Sequence, residues 1–176
     1  MLIVNLFGAP GAGKSTGAAY IFSMLKMRNI NADLVTEFAK EKLYEETKKP
    51  FRNQAYMFGN QYFRLSAMEG KADVAITDSP LLIYLYYNKG GALGEEFSAM
   101  VDKVFKSYDS LNYFVLRDFP YNPQGRFQTE QESDAMIEPM RALLREHDVE
   151  YKTIKGSIDG YDTVIEDVFA KMAGDI

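Results

Sequence analysis

Cysteine is absent from the 176 residues, which excludes disulfides, thiol nucleophiles and cysteine-ligated zinc. Histidine is nearly absent: His147 stands alone, which removes histidine-built metal centres and Ser-His-Asp triads. In "LREHDVE", near a predicted helix end, it reads as a solvated surface residue. No apolar run reaches the roughly 18 residues of a membrane span, so no membrane partner is expected. The opening "MLIVNLFGAP" lacks a basic flank and a cleavage site and does not read as a secretory signal. The cytoplasm is the expected compartment. Basic charge is also in deficit: 20 Lys and Arg face 25 Asp and Glu, a net charge of −5. That argues against coating nucleic acid as the main task, while leaving room for a local basic groove.

What is present is an ordinary globular balance, 47% hydrophobic and 26% charged. The length suits one domain, residues 1–176, with a single sizeable core. No repeat, low-complexity tract or linker breaks it. Short β-rich runs alternate with helix-length amphipathic segments. Strands are predicted over 2–7, 32–36, 73–78, 111–117 and 150–156. Helices are predicted over 13–29, 37–49, 51–70, 80–90, 94–108, 130–148 (kinked near Pro139) and 161–173. Five strands separated by helices predict an α/β fold, a parallel sheet covered on both faces. The longest irregular piece is 117–133, and a loop of that length in a compact domain is usually functional.

The first strand runs into "LFGAPGAGKST" (6–16). Gly8, Ala9, Pro10, Gly11, Ala12, Gly13, Lys14 and Ser15 fit G-x-x-x-x-G-K-[ST] at every fixed position, with a strand before and a helix after. Glycines let the chain turn tightly and point successive N–H groups inward as an anion nest. The following helix aims its unpaired N–H groups and positive dipole end at the same point. Lys14 supplies a mobile charge for the β- and γ-phosphates, and Ser15 a hydroxyl for Mg²⁺; Thr16 follows in the same turn. A glycine-rich turn with a chance lysine does not account for motif, position and context together. ATP with Mg²⁺ is the expected cofactor pair.

Four further segments carry candidate chemistry, each with a plainer reading beside it. In "AITDSP" (75–80), Asp78 ends an apolar strand, where it can orient Mg²⁺; Asp-Ser-Pro is equally an ordinary helix start. In "LVTEFAKE" (34–41), Glu37 follows a strand on the same rim and can accept a hydroxyl proton. It is also the acid that a helix N-terminus favours; Lys40 and Glu41 read as solvated. In "FRNQAYMFGNQYFR" (51–64), Arg52, Gln54, Gln61 and Arg64 interleave with aromatics, and Gln54, Phe58 and Gln61 share a helix face. That combination suits a nucleobase pocket, or simply an amphipathic helix with aromatic core residues. In "LRDFPYNPQGRFQTEQES" (116–133), Arg117 ends a strand and Arg126 lies in a Gly- and Pro-containing loop. Such a loop forms either a lid whose arginines close over phosphates or a solvated surface turn.

Together these segments resemble the small P-loop kinases of nucleosides and nucleotides, the nucleoside monophosphate kinase and deoxynucleoside kinase group. "LVTEFAKE" and "YNPQGRFQTEQES" are also similar to nicotinamide-riboside-kinase-type domains and small phage P-loop kinases, some of which phosphorylate 5-hydroxymethyluracil within DNA. The resemblance implies a P-loop NTPase three-layer sandwich with strand order 2-3-1-4-5 and a lid at about 117–133. It implies that Lys14 and Ser15 carry the triphosphate and Mg²⁺, that Glu37 is the general base and that Arg126 is a lid arginine. Phe38, where deoxynucleoside kinases commonly have proline, and "TDSP", which lacks the Asp-Gly-aromatic-Pro pattern of adenylate-type kinases, depart from both subgroups. The expected activity is transfer of the γ-phosphoryl of ATP to a hydroxyl or phosphate of a nucleoside or nucleotide. The alternatives are a kinase of a hydroxymethylated pyrimidine in DNA and a P-loop ATPase coupled to partner binding. Expected partners are the acceptor, modified DNA in the second reading, and a second copy of the chain. A phage-encoded chain would work in the host cytoplasm.

Overall fold

A computed structural model describes residues 1–45, 50–88, 93–124 and 128–174. Its centre is a five-stranded parallel sheet: β1 (Leu2–Phe7), β2 (Ala32–Val35), β3 (Val74–Thr77), β4 (Asp109–Leu116) and β5 (Lys152–Lys155). The order is β2-β3-β1-β4-β5, as expected. β1 pairs with β3 at Asn5↔Thr77 and with β4 at Phe7↔Phe114. Every residue of β1 is buried, the pattern of a central parallel strand covered on both faces.

Alternation along the strands divides the core in two. Leu2, Val4 and Leu6 point to one face, with Tyr113 and Val115, against α1 (Lys14–Met27) and α8 (Ile158–Ala173). Ile3, Phe7 and Phe114 point to the other. There they meet α3 (Gln54–Ser66), α4 (Ile83–Tyr87), α5 (Gly94–Lys106) and α7 (Ile137–Glu146). Helix α2 (Phe38–Tyr44) follows β2, and α6 (Glu130–Ala135) precedes α7. This is the three-layer sandwich. No helix among the described residues is long and apolar enough to cross a membrane.

Two local expectations are corrected. The segment 130–148 is two helices that meet at Met136 rather than one kinked helix. Pro139 has no N–H to give to the Ala135 carbonyl and its ring would clash there, so a continuous helix is excluded. His147 is not simply solvated: its Nδ1 lies 2.8 Å from Asp102 Oδ1, joining the end of α7 to α5. A capping box between Thr129 and Glu132 starts α6.

Because all five strands are parallel, their carboxyl ends share one rim. The turns after β1, β2 and β3 therefore converge there, and in open α/β sheets that rim is where ligands bind.

Phe114 is fully buried in β4, with the Arg141 guanidinium 4.9 Å from its ring centre. Phe114→Ala should lower the unfolding free energy by about 3–5 kcal/mol. Urea denaturation with an unchanged m-value measures it; a loss under about 1 kcal/mol would contradict this packing.

Candidate active site

The turn between β1 and α1 takes a path that L side chains disfavour. Gly8, Gly11 and Gly13 have φ of 143°, 79° and 99°. Gly13 is held twice over, by its positive φ and by space: a methyl there would lie 2.6 Å from the Tyr161 hydroxyl. Within the loop, Lys14 Nζ donates to the carbonyls of Gly8 (2.7 Å) and Ala9 (3.0 Å). Ala12 N–H closes back on the Ala9 carbonyl at 3.2 Å. The N–H groups of Gly11 and Gly13 meet no acceptor among the described residues. A run of inward amide donors at a helix start is an anion site.

A cavity of about 350 Å³ opens beside this loop. Gly8, Pro10, Gly11, Lys14 and Ser15 form one wall, and Glu37, Asp78 and Ser79 another. Phe51, Gln54, Met57, Tyr84 and Tyr87 also line it, largely with apolar atoms. Of the other loop residues, Ala9 and Ala12 are buried behind the turn and Thr16 is exposed beyond it.

Glu37 is half-buried between β2 and α2. Burial raises its carboxyl above the ordinary carboxylate range; the Lys14 charge opposes the rise, Asp78 adds to it, and Lys40 opposes it again. Asp78 is 7% exposed, and its Oδ1 is buried with no hydrogen-bond partner among the described residues. A buried carboxylate oxygen left unpaired is costly, and a divalent cation beside the Ser15 hydroxyl would satisfy it. That is the donor set Mg²⁺ takes, one or two protein oxygens with phosphate and water completing the shell. Among the described residues no group of three or more acidic or histidine side chains is placed to hold a metal alone. Tyr84, whose hydroxyl lies 3.4 Å from Ser79 Oγ, is held protonated by burial, its phenol pKa driven well up.

The amide-and-aromatic face expected from α3 is only partly here. Gln54 lines the cavity, its amide anchored by donation from Nε2 to the Phe51 carbonyl at 2.8 Å. Phe58 does not: it is core, stacked on Tyr62 and edge-on to Phe97 and Tyr84. Gln61 is 1% exposed and ties the chain together, accepting from Phe38 N–H at 2.9 Å and reaching Thr77 Oγ1 at 3.4 Å. Arg64 pairs with Glu41 and lies over the Phe38 ring, and Arg52 is exposed; neither lines the cavity. Lys40 and Glu41 are exposed, as expected; Glu41 also pairs with Arg64, and Lys40 also lines the cavity. Arg117 is held away from the cavity by Asp134 (2.7 Å) and Glu130 (3.0 Å), its guanidinium over Tyr121. Arg126 lies outside the described residues. From the same irregular segment, Gln128 does reach the cavity.

Sequence reasoning missed Ser79, Tyr84 and Tyr87. The signal was available: tyrosines three apart in "IYLYY", in the helix that follows Asp78, lie on one helix face.

Similarity to known proteins agrees with this geometry. The profile of a family described as AAA domain matches residues 3–160. No curated protein matches. Among solved structures, the NadR protein in complex with NR superposes with a TM-score of 0.70 at 18% identity, over 94% of this chain and 50% of that one. This chain thus spans half the length of that protein. Thymidylate kinase from Ehrlichia chaffeensis superposes with a TM-score of 0.63 at 12% identity, over 97% of this chain and 98% of that one. At these identities the likeness shows a shared fold.

The raised Glu37 carboxyl has a consequence for stability that does not involve activity. A carboxyl whose folded pKa exceeds its unfolded one favours the fold at low pH. That contribution is lost as pH rises through the folded value. Glu37→Gln should therefore unfold at a higher temperature than wild type near pH 7 and match it below about pH 4, where both side chains are neutral. Thermal unfolding across pH measures this; a difference that does not vary with pH would contradict a raised Glu37 carboxyl.

Proposed function

The chain belongs to the AAA domain family of P-loop proteins, and from that premise we propose that it is an ATP-dependent kinase. It transfers the γ-phosphoryl group to a hydroxyl or phosphate of a nucleoside or nucleotide. One observation carries this reading: Lys14 and Ser15 face Glu37 and Asp78 across a single cavity of about 350 Å³, a volume in the range of small-molecule sites.

The roles follow from the chemistry of each position. The inward amides of the loop and Lys14 bind the triphosphate and stabilise charge that develops on the moving group. Ser15 and Asp78 hold the cation, which when bound neutralises phosphate oxygens and orients them. Glu37 takes the proton of an acceptor hydroxyl as that oxygen bonds to the γ-phosphorus and ADP leaves. Its raised carboxyl is a stronger base than a solvated glutamate, closer to a working neutral pH. Gln54, anchored at one end, presents the rest of its amide to the acceptor, and Phe51, Met57, Tyr84 and Tyr87 exclude water around it. In this account Arg126 is the lid arginine and Arg117 an arginine that turns to the nucleotide once released from α6. Arg64, Phe58 and Gln61 support the acceptor wall from behind rather than touch the acceptor, and Arg52 would meet it only by turning in from the surface.

A phosphate-transfer screen with labelled ATP over nucleosides, nucleotides, nicotinamide riboside and modified duplex DNA tests the activity. Lys14→Ala should lose nearly all transfer, through the missing charge and through loss of its bonds to Gly8 and Ala9. Glu37→Gln should keep ATP·Mg²⁺ affinity and lose turnover by about 10²–10⁴-fold. Asp78→Asn should shift the Mg²⁺ titration to higher concentration. A silent Glu37→Gln would identify the acceptor as an already ionised nucleotide phosphate. Turnover without any acceptor would favour the ATPase reading, and transfer confined to DNA the modified-base reading.

A further inference from the structure

The phosphate loop is gripped from outside by two hydroxyls that no sequence motif contains. Ser133, in α6, is 1% exposed, and its Oγ donates to the Pro10 carbonyl at 2.7 Å across 123 residues of sequence. Tyr161, in α8, is 4% exposed, and its hydroxyl donates to the Gly13 carbonyl at 3.0 Å across 148 residues. The Gly13 carbonyl also accepts the Gly17 N–H at 2.8 Å.

A trans peptide is planar, and its C=O and N–H point in opposite directions. Fixing the Pro10 carbonyl on Ser133 therefore sets the direction of the Gly11 N–H. Fixing the Gly13 carbonyl on Tyr161 does the same for the Lys14 N–H. Both amides face the side where an anion would lie. We propose that Ser133 and Tyr161 are positioning residues of the phosphate loop: their hydroxyls hold its peptide planes with carbonyls outward and amides inward before ATP arrives. The proposal rests on reading this loop as the triphosphate site.

Packing supports the pairing. A side chain at Gly17 would run into the Tyr161 ring, and one at Gly13 into the Tyr161 hydroxyl; Gly17 lies outside the motif. Tyr161 thus accounts for a glycine that phosphate binding does not explain. Ser133 is the one buried residue of α6. That helix is held from its far side by Arg117, through Asp134 and Glu130. A six-residue helix with one buried side chain contributes little to the core, yet that side chain fastens it to the phosphate loop. It also joins the segment bearing Gln128 to the loop, so a displacement of that segment is felt at the Pro10–Gly11 peptide.

The test uses Ser133→Ala, Tyr161→Phe and, as a control, Tyr113→Phe. Tyr113 is equally buried, but its hydroxyl bonds the Asp167 carboxylate at 2.8 Å and no carbonyl of the phosphate loop. Calorimetry gives the dissociation constant for ATP·Mg²⁺, and thermal unfolding gives stability. Ser133→Ala and Tyr161→Phe should each weaken ATP·Mg²⁺ binding by about 3–10-fold, the worth of one intramolecular hydrogen bond. Where transfer is measurable, KM for ATP should rise while KM for the acceptor stays within about twofold, because the effect is on ground-state binding of one substrate. Tyr113→Phe should lower stability and leave ATP affinity as in wild type. Unchanged ATP affinity in both variants would overturn the proposal, as would a loss no greater than in Tyr113→Phe. Lys14→Ala separates this failure from a deeper one: if it binds ATP·Mg²⁺ as well as wild type does, the triphosphate reading itself falls.

Discussion

The site depends on the direction of a few peptide planes. A loop of backbone can bind phosphate only if its amides converge, and amides converge only if the carbonyls beside them have somewhere else to go. Here four of them have a donor: Lys14 for Gly8 and Ala9, Ser133 for Pro10, Tyr161 and Gly17 for Gly13. Buried carbonyls without partners would pull the loop into another conformation. The remaining parts are arranged around that requirement: three glycines that tolerate the path, a helix whose N-terminus follows it, and two distant helices that supply hydroxyls.

The opposite wall is built by opposing electrostatics. Glu37 and Asp78 are brought to one cavity by adjacent parallel strands, β2 and β3. Two carboxylates together repel, and burial adds to the cost. Lys14 offsets part of it, which is why the Glu37 carboxyl is raised but still influenced by the loop lysine. Asp78 keeps an oxygen unpaired. A cation and phosphates bound between these groups would offset the repulsion, and anything that binds only the folded form stabilises it.

Much of this was legible in the sequence because it is local or periodic. The phosphate loop is a contiguous motif, and the strand order came with the resemblance to P-loop kinases that the motif helped to establish. Glu37 and Asp78 were readable as acids immediately after strands. What was not readable depends on which side of an element faces inward. Phe58, Gln61 and Gln54 lie on related positions of α3, and only packing decides that Gln54 meets the cavity while Gln61 bonds Phe38 and Thr77. Arg117 was legible as a strand-end arginine but not as the partner of Asp134, seventeen residues on. Ser133 carried no signal at all, since one serine in an acidic helix start resembles any other. Tyr161 left a trace only in Gly17, a glycine inside a predicted helix with no stated purpose.

The central claim is that the loop's amides are set to receive phosphate, and backbone amide resonances read this directly. Adding ATP·Mg²⁺ to the wild-type protein should shift the amides of Gly11, Gly13, Lys14 and Ser15 more than any others, saturably and together. Adding Mg²⁺ alone should leave them in place. Saturable shifts centred elsewhere, with these four unmoved, would contradict the account.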